Sequence, residues 1–138
     1  KNKILLLGLF CCSLISAKAQ VLLDKGTGKN SFPIVSSSTN ALLFDGKDAT
    51  VVRKSASLFV DDVRRVTGQE LRIDESKPGK VSARYAIIAG TIGKSEWIDA
   101  LVSRHKIDTA AIAEVGGYMI EVVNNPIPGI KKAIVVAG

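Results

Sequence analysis

The chain has 138 residues, 46% hydrophobic and 23% charged, with 19 basic residues against 13 acidic and a formal charge of +6. Opposite charges are interspersed and aromatics make up only 5%, which excludes a basic nucleic-acid stripe and a stacking platform for bases. The two cysteines, Cys11 and Cys12, are adjacent near the amino end, so everything after them lacks a disulfide framework and a Cys-based metal site.

Lys1-Asn2-Lys3 leads into the apolar run Ile4 to Ile15 and then Ser16-Ala17-Lys18-Ala19. A basic start, an apolar stretch too short to span a bilayer and small residues at Ala17 and Ala19 predict a secretory signal peptide over residues 1–19. Cleavage between Ala19 and Gln20 would make the protein secreted or periplasmic, with no membrane attachment afterwards. A lipoprotein signal would need a small residue before its cysteine, whereas Phe10 precedes Cys11 and Cys11 precedes Cys12. Loss of Lys1, Lys3 and Lys18 lowers the formal charge to about +3, and the remaining chain of about 119 residues supports one domain core.

Residues 20–40 read as an extended, turn-rich lead-in. Within it Phe32-Pro33-Ile34-Val35 pins Phe32 and Ile34 to the domain edge, because Pro33 cannot donate to a sheet ladder. An α/β domain follows over residues 41–138. Ala41 to Phe44 is its first strand, closed by Asp45-Gly46. Asp48 is expected to cap a helix running to about Thr67, with Val52, Ala56, Phe59, Val63 and Val66 as its buried stripe and Gly68 as its left-handed stop. Asp61, Asp62, Arg64 and Arg65 flank that stripe as a solvated, ion-paired surface.

Gln69 to Asp74 then gives a short strand with Leu71 and Ile73 alternating against polar neighbours. Tyr85 to Gly90 is apolar, rich in β-branched residues and bounded by turn residues, and Ala133 to Gly138 nearly repeats it, so both read as inner strands of one sheet. Between them, Ser95 is placed to cap a second helix whose Ile98, Leu101 and Val102, with Trp97 at the flank, face the sheet, and His105 ends it beside the helix dipole. Asp108 to Ala113 is a helical turn, Gly116-Gly117 breaks it, and Tyr118 to Val123 is a strand with Met119 in the core. The loop Asn124 to Gly129 contains no helix and permits only an antiparallel return. The expected architecture is α/β in the α+β sense: a mixed sheet of about five strands with its two main helices mostly on one face.

Gly90-Thr91-Ile92-Gly93-Lys94-Ser95 sits between strand and helix like a phosphate-binding loop. A nucleotide loop needs a glycine five places before its Gly-Lys-Ser, and Ile88 stands there, inside the strand. The stretch therefore reads as a tight turn. Ser36 to Ser38 lack a histidine partner, since His105 is placed at a helix end elsewhere, and the carboxylate pairs are helix-face or turn neighbours such as Asp61-Asp62 and Asp45 with Asp48. No catalytic, cofactor-binding or metal-ligating residue is expected in this chain, and no cofactor.

A set of segments in order nevertheless resembles the amino-terminal domain of glycosyl hydrolase family 115, the xylan α-1,2-glucuronidases. These are Phe32 to Val35, Ala56 to Gly68 with its ending Val-Thr-Gly, Ile87-Ile88-Ala89-Gly90-Thr91, Asn125-Pro126-Ile127-Pro128-Gly129, and Ala133 to Gly138. The resemblance implies a multidomain parent in which this non-catalytic domain precedes a (β/α)8 barrel carrying the catalytic carboxylates, and is compatible with a homodimeric parent. Its substrate would be xylan or glucuronoxylan oligosaccharides, from which glucuronic acid or its 4-O-methyl ether is removed; nucleic acid and membrane are not among the expected partners. The family continues past the last strand with Ser-Asp-(Lys/Arg)-Arg-Gly, which here would begin one residue after Gly138, so the resemblance implies a domain truncated at its carboxyl end. Where the family often has Trp-Glu before the fourth strand, this chain has Val115-Gly116. A stand-alone exported carbohydrate-binding or structural module, or the amino-terminal domain of another glycosidase family, is the alternative.

Overall fold

The computed structural model describes residues 32–35, 40–79, 81, 83–112 and 116–138. The expected signal peptide, most of the lead-in, the serines 36–38 and Val115 lie outside the described residues. Phe32 to Gly138 forms one compact unit. Its elements are β1 (Asn40–Leu43), α1 (Thr50–Thr67), β2 (Arg72–Asp74), β3 (Tyr85–Gly90), α2 (Glu96–Ser103), a 3-10 turn (Ala110–Ile112), β4 (Met119–Asn124) and β5 (Lys132–Ala137).

The fold is mixed α/β, with five strands in the order β2-β1-β3-β5-β4. β1 pairs in parallel with β2 and β3, β3 pairs in parallel with β5, and β4 returns antiparallel along β5. β3 and β5 are inner strands, as their apolar runs predict, and the loop from Asn125 to Lys131 makes the antiparallel return that its length requires.

The expectation that both helices share one face is overturned. Leu42 of β1 and Phe44 just after it join Ala56 and Val63 of α1, whereas Ala41 and Leu43 join Trp97, Ile98 and Leu101 of α2. Adjacent strand residues point to opposite faces, so α1 and α2 lie on opposite sides of the sheet. Parallel crossovers share one hand. The path from β1 to β2 moves one way along the sheet and the path from β3 to β5 moves the other, so the two helices are thrown to opposite faces.

The α2 face carries the larger core, with Trp97, Ile98, Leu101, Ile88 and Val135 all inaccessible to solvent. The α1 face is covered unevenly. Arg53 and Glu75 pair at 3.1 Å, and Val60, Asp61 and Arg64 line a shallow groove with Leu71, Arg72 and Ile73, so this flank of α1 lies along β2. Phe32, Ile34 and Val35 pack onto the same layer, with Phe32 edge-on to Tyr85 at 5.9 Å between ring centroids, as expected of a segment pinned to the domain edge.

Of the expected α1 stripe, Ala56 and Val63 are buried and Val52 partly so, but Phe59 is 38% exposed and Val66 85%. Each helical residue turns about 100°, which places Phe59 and Val66 on the flank away from β2. That flank faces the half of the sheet α1 does not reach. There Ile120 and Val122 of β4 are exposed and Ile134 and Val136 of β5 only partly buried. Tyr118, expected beside the core, is 70% exposed at the end of the same row. Gly68 stops α1 as expected, at φ 69°, with its N–H donating to the Arg64 carbonyl. No helix among the described residues is long and apolar enough to cross a membrane.

Candidate functional site

In an open sheet with this order, β1 and β3 are the neighbours from which the chain departs in opposite directions, and the crevice at their carboxyl ends is where ligands of such folds bind. Two turns meet there: Asp45 to Asp48 after β1, and Thr91 to Ser95 after β3.

Asp48 does not cap α1 as expected. The N-cap position is Ala49, which offers no side-chain cap. Asp48 instead accepts from the Ala49 N–H at 2.6 Å through Oδ1 and from the Thr91 N–H at 2.8 Å through Oδ2. A residue that reads as a local helix cap thus joins the turns after β1 and β3. Asp45 acts similarly, its carboxylate accepting from Lys47 N at 2.9 Å and from Glu96 N at 3.1 Å. These amides, Lys47's first, hold its pKa below the ordinary value of 3.8. Lys77 donates to Glu96 at 2.8 Å, a contact that raises the Lys77 pKa and ties the loop after β2 to the start of α2.

The turn Gly90 to Ser95 is closed to phosphate by its own hydrogen bonds. The N–H groups of Thr91, Gly93 and Glu96 donate to Asp48, Asp99 and Asp45, those of Lys94 and Ser95 to the Thr91 carbonyl, and that of Ile92 to the Gly138 carbonyl. A phosphate-binding loop works by leaving such amides free to converge on an anion. Here carboxylates of the chain already occupy three of them. The turn is also too tight to open around a ligand, since a Cβ on Gly90 would meet Ser95 Oγ and Cβ as well as Ile98. Ser95 holds the N-cap position of α2, but its hydroxyl makes no cap bond; it is wholly buried against Gly90 with no hydrogen-bond partner among the described residues. The close approach of strand and helix that excludes a side chain on Gly90 also seals this hydroxyl in.

The other residues weighed from sequence do not converge. Asp61 and Asp62 pair with Arg64 and Arg65 one turn along α1, at 3.4 and 3.6 Å, all largely exposed. His105 lies beyond the end of α2, exposed and with φ at 52°. Among the described residues no group of three or more His, Cys, Asp or Glu side chains could hold a metal. The carboxylates at the carboxyl edge are structural acceptors, and what the arrangement does chemically is hold loops together.

Asp48→Ala should therefore cost about 1–2 kcal/mol of stability, the expected price of removing an ionised acceptor from two amides. Asp48→Asn, which keeps one carbonyl acceptor, should cost less than half as much. Urea unfolding of the two variants beside the parent chain measures the difference; equal effects would mean that the Thr91 contact carries no energy.

No family model and no curated protein matches this chain.

Proposed function

We propose that this chain is the amino-terminal, non-catalytic domain of a longer exported glycoside hydrolase of the xylan α-1,2-glucuronidase type, in which the catalytic carboxylates belong to a downstream barrel. The resemblance of Ala56 to Gly68 and of the two apolar strand runs to family 115 supports this reading. The observation that carries it is the set of exposed apolar side chains on the α1 side of the sheet, Phe59 and Val66 on the helix and Ile120 and Val122 on β4. Exposed large apolar side chains that gather on one side of a domain mark a surface that another part of a protein covers. A domain that docks against its own chain presents such a face, and a free-standing module gains nothing from it.

A stand-alone exported saccharide-binding module is the second reading, favoured by Tyr118. At 70% exposure its ring is open to solvent, and an accessible aromatic face is what a sugar ring stacks upon.

Production of residues 20–138 and of the chain extended through its following coding sequence separates the two. The extended protein should release 4-O-methylglucuronic acid from glucuronoxylan, whereas residues 20–138 should release none. Glycoside hydrolysis by inversion needs two carboxyl groups about 6.5–9.5 Å apart across a cleft, whereas Asp45, Asp48 and Asp99 accept from backbone amides of the turns and Asp61 and Asp62 pair along a helix face. Release by residues 20–138 alone, or a following sequence that encodes no further domain, would end the proposal. Retention of residues 20–138 on neutral xylan that is lost in Tyr118→Ala would establish the second reading instead.

A further inference from the structure

β2 and β4 are the two edges of the sheet, and they differ in kind. β2 has three residues, of which Arg72 and Asp74 are a charged pair, and Lys77-Pro78 follows it. A short, charged edge with a proline close behind it resists pairing with another strand. β4 has six residues, Met119–Asn124, with no lysine, no proline and no bulge in its register with β5, and Glu121 is its one charged side chain. Tyr118, Ile120 and Val122 stand exposed in a row on its α1 side.

The backbone of β4 turns half of its polar groups outward. The Asn125 N–H donates to the Lys131 carbonyl at 2.8 Å, and along an antiparallel ladder the residues that bond inward alternate with those that do not. With Met119 opposite Ala137 and Val123 opposite Ala133, the N–H and C=O groups of Met119, Glu121 and Val123 face β5, and those of Ile120 and Val122 face away from it. Among the described residues no backbone group bonds to Ile120 or Val122 on that outer side. An unblunted edge of this length is a template for a further strand.

We propose that β4 is the contact between two copies of this chain, paired antiparallel across a twofold axis at Ile120 into one continuous sheet of ten strands. β4 against itself is isologous, so a single contact closes the assembly and leaves only the two blunt β2 edges free. β4 against β2 of a next copy would run on head to tail, and the short, charged β2 opposes it. Charge and apolar matching set the register. An axis at Glu121 would place two carboxylates directly opposite, which is destabilising. An axis at Val122 would set Ile120 against Asn124. An axis at Ile120 pairs that residue with its own copy and each Tyr118 with Val122 of the other, joining the two exposed rows. A peptide ligand would draw its specificity from pockets beside the edge, whereas the clefts beside β2 and at the end of α2 are lined by other residues. Pairing uses the backbone edge and leaves the α1 side of the row open, so it holds whether or not the domain belongs to a longer hydrolase.

Sedimentation equilibrium of the exported full chain over a range of concentrations tests this, and a reversible equilibrium that ends at twice the chain mass is expected. Ile120→Pro deletes an outward N–H that no bond within the copy uses, and proline is tolerated on an edge with its nitrogen toward solvent. That variant should keep the parent's circular dichroism and weaken the dimer about tenfold or more. Ile120→Lys, which blunts the edge without touching the backbone, should weaken it likewise, and Leu58→Lys, on the exposed side of α1, should leave it unchanged. Ile120→Cys, in a chain that the expected cleavage frees of Cys11 and Cys12, should give a disulfide-linked dimer on mild oxidation. Val122→Cys, set roughly 14 Å along the strand from its own copy, should not. A monomer at every concentration, species that grow past the dimer, a loss in Leu58→Lys as large as in Ile120→Lys, or cross-linking through Val122→Cys as readily as through Ile120→Cys would overturn the proposal.

Discussion

Replacing Trp97 with alanine is expected to lower the free energy of unfolding by about 3–5 kcal/mol, the range for removing a large aromatic side chain from a packed core. Trp97 is wholly inaccessible and sits in the α2-side core with Ile88, Ile98, Leu101 and Val135. Its indole N–H also donates to the Ser76 carbonyl at 2.7 Å. One side chain therefore fills the layer under β3 and fastens the loop after β2 to α2. Truncation leaves a cavity and a carbonyl without its donor; Trp97→Phe, which keeps most of the volume and loses the bond, should cost about 1–2 kcal/mol. Urea unfolding by circular dichroism, with the slope checked for constancy, gives both values. A loss of under 1 kcal/mol for the alanine variant would mean that the core collapses around the missing ring and that Trp97 does not organise it.

Val63→Asp should cost a similar amount, about 3–5 kcal/mol, through the burial of an unpaired charge. Val63 is 9% exposed and packs on the α1 face with Leu42, Phe44, Ala56, Leu71 and Ile87, none of which can accept or donate through its side chain. A carboxyl placed there has its folded pKa raised by desolvation. Stability relative to the parent is then best below the unfolded pKa and is lost as pH rises through the raised folded value, so the deficit should be smaller at pH 4 than at pH 7. Arg64→Ala, next along the helix and exposed, should change stability by less than about 0.5 kcal/mol at either pH. Equal melting temperatures for the two variants would place Val63 on the solvent side of α1.

The sheet-forming runs and the helices were legible in the amino-acid sequence because local chemistry decides them. Tyr85 to Gly90 and Lys132 to Ala137 are too short and too β-branched for helices, Gly68 supplies the left-handed stop that α1 needs, and seven residues without helical pattern after Asn124 admit only an antiparallel return. The alternation of Leu71 and Ile73 and the burial of Ile98 and Leu101 follow from the same periodicities. What sequence could not contain was the direction in which each crossover leaves the sheet. That choice sets α1 and α2 on opposite faces, and it depends on the order β2-β1-β3-β5-β4, a property of strand pairing distant along the chain. The helix stripe fails for the same reason: Phe59 and Val66 are as apolar as Val63, and only the lateral position of α1 over β2, β1 and β3 leaves them uncovered. Asp48 carries a cap signature in sequence, yet its second oxygen is drawn to Thr91, 43 residues away, because adjacent parallel strands bring their carboxyl-end turns together. Periodicity and turn chemistry write the elements into the chain, but faces and sites are made by strand order, which brings together residues with no local sign of one another.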